Sequence, residues 1–205
     1  MKTLKTNVKV IVVDHIDRNN YKEYIGKTVK VTGDVNLMSL GLTKIPINFT
    51  EVGGSLYCSD NKLTSLEGAP EKVGEDFYCR DNKLTDLAGA PRIVGGRFIC
   101  SFNQLTTLEG TPTKVGKSFY CGVNQLTSLE GSPKYVGGRF DCSYNNLTSL
   151  EGSPKEVGWN FDCRWNKLTS LEGAPNKVGG DFYCWDNPLK STKGKPEFIG
   201  DTFLK

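Results

Sequence analysis

Along most of this chain, apolar residues recur with two superposed periods. Locally they alternate, as in Phe77-x-Cys79, Phe98-x-Cys100 and Phe140-x-Cys142. Such alternation places both side chains on one face of a short strand, pointing inward, with the residue between them pointing out. At longer range the whole pattern returns every 21 residues, as the seven cysteines make plain: Cys58, Cys79, Cys100, Cys121, Cys142, Cys163 and Cys184. A fixed interval of that length is the mark of a stacked repeat, in which each unit buries its apolar face only against its neighbours.

Aligned on the cysteines, the unit reads V-G-x-x-F-x-C-x-x-N-x-L-T-x-L-x-G-x-P-x-x. Val73 and its equivalents through Val178 open it, and the phenylalanine follows four residues later. Asparagine stands three positions past each cysteine, from Asn61 to Asn187. An amide both donates and accepts, so a stack of them can satisfy backbone groups exposed as the chain leaves the strand. Leu63 and Leu66, with equivalents through Leu168 and Leu171, fill the interior. Gly68 through Gly173 permit a tight bend, and Pro70 through Pro175 fix the backbone before the next valine. The return path is too short and too rich in Pro and Gly for a regular helix.

Residues 31–51 carry a degenerate first copy, with Leu40 in place of asparagine, and residues 52–198 carry seven copies, so that the repeats as a whole occupy 31–198. Residues 199–205 begin a further strand. Residues 1–30 contain the strand-like Val8 to Val13 and a short helical candidate, DRNNYKEYIG, and are expected to cap the exposed apolar end of the array.

The order F-x-C-x-x-N-x-L resembles the leucine-rich repeat core, L-x-L-x-x-N-x-L. With its L-T-S-L-x-G-x-P tail, the unit is similar to the short bacterial and bacteriophage type. Two features depart from it: Gly74 and its equivalents hold the first leucine slot, and Gly-x-Pro replaces Leu-Pro. The resemblance implies a right-handed β-solenoid with one parallel concave sheet and little helix. Effector relatives often carry a catalytic domain after the repeats, and with residues running only to Lys205 none is expected here.

Charge changes the picture little. The formal net charge is +3, and residues 1–30, with seven Lys or Arg against three Asp or Glu, account for +4 of it, leaving the rest at −1. That balance gives no reason to expect nucleic acid or an anionic membrane as partner. No stretch approaches the ~20 apolar residues of a membrane span. The opening MKTLKTNVKVIVVDH has an apolar run too short for a signal peptide, interrupted by Lys9, and no small-residue cleavage site. The expectation is a strand of a cytoplasmic protein, in a bacterium or an infected host cell.

Seven cysteines on one inward column are expected to be apolar filler. The count is odd, and β-carbons one rung (~4.8 Å) apart are too distant for the ~3.8 Å of a disulfide. Unpaired thiols suit a reducing compartment. Metal and cofactor sites are not expected, because the single histidine, His15, lies outside the repeats. His15 with Asp14 and Asp17 is the one local grouping able to carry acid–base work, and an isolated histidine is more often structural. No enzyme is expected.

Function is therefore expected on a surface, the outward face of the Phe-x-Cys strand, where residues vary between copies. Tyr57, Tyr78, Ile99, Tyr120 and Tyr183 lie between Phe and Cys; Arg80, Arg164 and Trp185 follow Cys; Phe102, Tyr144 and Trp165 come one position later. Tyr, Trp and Arg dominate binding hot spots, and a rigid scaffold with a varied face suits recognition of a protein partner such as a host factor. A second expectation is self-association or docking through the unpaired edge at Ile199 to Lys205. Nucleic acid is disfavoured by Asp60, Asp81, Asp141, Asp162 and Asp186 on the same face.

Overall fold

The computed structural model describes residues 9–205. Each repeat makes one turn of a parallel β-solenoid, and each turn contributes two short strands rather than one. The first strand ends in the repeat valine, as in Lys72–Val73 and Ile93–Val94; the second starts at the phenylalanine, as in Phe77–Tyr78 and Phe98–Ile99. The valine strands form a ten-stranded sheet and the phenylalanine strands a nine-stranded sheet among the described residues. Equivalent residues pair across turns, Phe77 with Phe98 and Val73 with Val94, so the register equals the repeat length.

The valine sheet needs glycine. A β-carbon on Gly74 would stand 1.9 Å from the Gly53 carbonyl oxygen, and one on Gly95 2.0 Å from that of Gly74. Successive turns approach too closely there for any side chain. At the opposite corner Gly68 and its equivalents adopt positive φ, between 83° and 95° in the seven copies, where glycine carries little penalty.

The interior is five stacked columns. The valines, phenylalanines, cysteines and both leucines are buried in every turn from Val73 to Cys184. The phenylalanine rings stack along the axis with centroids 5.1 to 5.7 Å apart. All seven cysteines are free, buried thiols. Several donate from Sγ to the carbonyl of the outward residue one turn on, Cys58 to Tyr78 at 3.2 Å and Cys142 to Asp162 at 3.3 Å. Burial pushes the Cys58 thiol up to about 12 and Cys184, near the end of the stack, up to about 11.

Two polar ladders close the turns. Asn82 Nδ2 donates to the carbonyls of Cys58, Cys79 and Arg80, while its Oδ1 accepts from the Leu63 N–H. The arrangement repeats to Asn187, which bonds Cys163, Cys184, Trp185 and Leu168. A second ladder runs along the corner between the sheets, one residue before each phenylalanine. There a side chain accepts the N–H of its counterpart one turn later: Asp34 from Ser55, Ser55 from Asp76, Asp76 from Arg97, Ser118 from Arg139, Asn160 from Asp181, and Asp181 from Thr202.

In place of a distinct cap, residues 10–31 continue the stack. Val10–Val13 pairs in parallel with Thr28–Val31, which pairs with Asn48–Val52, and Ile16 bridges to Val35 in the second sheet. Val8 lies outside the described residues. The helical candidate reduces to one 3-10 turn, Tyr21–Tyr24. Asn20 caps nothing, because its amide accepts from the Asp17 N–H and donates to the His15 carbonyl. Val10 and its partner Thr28 stand 18 positions apart, three fewer than the repeat interval.

Candidate recognition surface

The outward face of the phenylalanine sheet carries three columns. Tyr57, Tyr78, Ile99, Tyr120 and Tyr183 stand half-buried between Phe and Cys, in the same column as Asp141 and Asp162. Behind the cysteines come Ser59, Arg80, Ser101, Gly122, Ser143, Arg164 and Trp185. The third column, immediately before the ladder asparagine, turns out to be conformationally special. Asp60, Asp81, Phe102, Val123, Tyr144, Trp165 and Asp186 all have φ between 52° and 57°, in the left-handed region.

That region is sterically disfavoured for all residues with a β-carbon, least for Asn and Asp and most for β-branched or bulky ones. The outer turns carry Asp here, whereas the four central turns carry Phe, Val, Tyr and Trp. Those four side chains are 47%, 37%, 50% and 46% exposed. Strand propensity cannot account for them, because the backbone is not extended where they stand.

The anticipated residues divide into three groups. Tyr57 and Tyr78 stack with centroids 4.9 Å apart, and the Tyr78 hydroxyl donates to Asp76 at 3.1 Å. Arg80, Ile99, Phe102, Tyr120 and Tyr144 line one open groove of about 370 Å³. Its floor is Ser101, Gly122 and Ser143; Arg97, Val123 and Asp141 complete the lining. The floor residues lie outside the residues expected from sequence, although the run of small ones after cysteine between Arg80 and Arg164 is their signal. Tyr144 stacks on Trp165 at 5.4 Å and so continues the apolar column beyond the groove.

Arg164, Tyr183 and Trp185 form the third group, organised by a carboxylate. Asp162 is fully buried on this face and receives Arg164 through Nε at 2.8 Å and Nη2 at 2.6 Å. Arg139 Nη2 reaches Asp162 at 2.5 Å and Asp141 at 2.8 Å. Two guanidiniums and two carboxylates neutralise one another, and the Asp162 hydrogen bond pushes the Arg164 pKa up. The Arg164 guanidinium lies 4.3 Å from the Trp185 ring centroid, and Trp185 meets Tyr183 edge-on. Arg80 likewise holds Asp81 at 2.6 Å. Three of the five aspartates expected to repel phosphate are thus neutralised, and that argument rests on Asp60 and Asp186 alone.

The remaining candidates stand apart from this face. Asp14 lies 3.6 Å from His15, and both are exposed. At the far end, Phe203–Leu204 pairs with Phe182–Tyr183, and Phe198 and Leu204 are exposed. Compared with protein-family models and with curated proteins, the chain matches none.

Proposed function

We propose that this protein is a non-enzymatic recognition module that binds a partner protein through the outward face of its phenylalanine sheet. The observation that carries this reading is the left-handed column. Phe102, Val123, Tyr144 and Trp165 occupy backbone positions where Asp would be less strained, and they spend that conformational cost on half-exposed apolar surface. Local rules broken on one face of an otherwise regular molecule mark a functional site. The asparagine ladder behind an F-x-C strand supports membership of the leucine-rich repeat family, and the expected kinship with bacterial and phage proteins makes a host factor the natural target. Seven unpaired thiols suit the cytoplasm.

Affinity capture from host lysate tests the reading when wild type is compared with a variant carrying Asn at positions 102, 123, 144 and 165. A protein recovered by wild type and lost from the variant supports it; equal recovery by both refutes it. The alternative, self-association through the terminal strand, has the exposed Phe198 and Leu204 in its favour. A mass that rises with concentration in analytical ultracentrifugation would shift the assignment to that edge.

A further inference from the structure

The corner ladder is broken at two places, and both breaks are arginines. Asp, Ser or Asn accepts the next turn's N–H at the other repeat positions from Asp34 to Asp181, but Arg97 and Arg139 have no acceptor to offer. Arg139 gains the two carboxylates described above. Arg97 is exposed, and among the described residues it forms no ion pair. It stands beside the groove, whose nearest carboxylates are already engaged. Asp76 accepts the Tyr78 hydroxyl, Asp81 holds Arg80, and Asp141 accepts from Ser143 and Arg139.

The groove thus has a free cation at one end, an apolar wall of Phe102, Val123 and Tyr144 along its length, and a small-residue floor. From Ile99 to Asp141 it crosses two turn-to-turn spacings, ~10 Å, the length of about three residues of extended chain. The strands on either side of the floor are already paired turn to turn, since Cys100 donates to Tyr120, Cys121 to Asp141 and Phe102 to Gly122. An occupant is therefore held by side chains and not by strand addition. Building on the recognition reading above, we infer that the groove takes an extended peptide segment of the partner, with an apolar side chain over Gly122 and an acidic side chain within two residues of it, paired to Arg97.

Short random peptides displayed on phage and selected against the whole protein test this. The expected winners place Asp or Glu within two positions of Leu, Ile, Phe, Tyr or Trp. A synthetic winner should bind about ten-fold more weakly when its acid is replaced by the amide, and by a similar factor to Arg97→Ser, as loss of one charge-assisted hydrogen bond requires. Arg97→Ser returns an acceptor to the corner ladder, so its unfolding midpoint should be no lower than that of wild type. Gly122→Leu, which fills the floor at an ordinary φ, should abolish binding. Winners without acid, or winners that bind Arg97→Ser unchanged, overturn the carboxylate pairing, even where Gly122→Leu still marks the groove as the site. Failure to enrich any peptide overturns the peptide inference altogether, while a partner lost from the four-site Asn variant in lysate capture would keep the wider reading intact.

Discussion

Val123 is the residue at which physical cost and proposed function are easiest to weigh. A β-branched side chain at φ 56° is an outlier costing about 1–3 kcal/mol. Against that stands the burial of roughly two thirds of its surface, worth about 1.5–2 kcal/mol. The terms nearly cancel, so Val123→Asn should change the unfolding free energy by less than about 1 kcal/mol in guanidinium titration. A core residue of similar size offers the contrast: Val136→Ala, in the buried valine column, should lose about 2 kcal/mol. The seven thiols should be silent for the complementary reason. Buried and protonated, they should react with a disulfide reagent at pH 8 only after unfolding, with Cys184 first to respond in partial denaturant. The inward cysteine column was legible in the sequence because period-two spacing and a constant interval identify a buried position. The left-handed conformation two residues after it was not, because Phe, Val, Tyr and Trp there read as strand formers.

At the scale of the element, ladders decide. Asn145 holds the carbonyls of Cys121, Cys142 and Ser143 and accepts from Leu126. Asn145→Ala would strand several of these groups away from water, at about 3 kcal/mol or more. The glycines separate into two kinds. Gly95→Ala drives a β-carbon into the Gly74 carbonyl and should cost more than about 2 kcal/mol, whereas Gly122→Ala meets its nearest atom at 3.0 Å and should cost less than about 1 kcal/mol. Thermal unfolding of the two variants checks the order. The asparagine ladder was readable from sequence, since an amide recurring at one slot implies both donors and acceptors to satisfy. The second sheet was not: a two-residue strand ending in Val-Gly is too short to show alternation, and its pairing arises only once the turns are stacked.

For the whole molecule, the thiol column ties stability to pH. Burial raises the folded-state pKa of the thiols above their unfolded value near 9, with desolvation the leading cause. Their contribution is complete below about pH 9 and is lost as pH rises further, because the unfolded chain releases protons that the folded chain keeps. Each thiol that stays protonated in the fold then removes up to about 1.4 kcal/mol per pH unit, and the buried column acts in one direction. The unfolding free energy should therefore fall steeply above about pH 9 in an alkaline titration. Replacing Cys100, Cys121 and Cys142 by Ala should flatten that alkaline dependence while lowering stability at pH 7, as paired pH titrations would register. The repeat architecture was visible in the 21-residue interval alone, and so was the face that varies. The groove was not, since it exists only where three small residues from successive turns align beneath larger neighbours.

The most direct test of the account is the unfolding free energy of the variant with Asn at 102, 123, 144 and 165. If these side chains serve recognition, removing them should leave stability within about 2 kcal/mol of wild type, since relieved strain offsets lost burial. If they serve the scaffold, the same variant should lose about 6 kcal/mol or more, as four half-buried apolar side chains in relaxed positions would. That larger loss would contradict the assignment of this face to a partner.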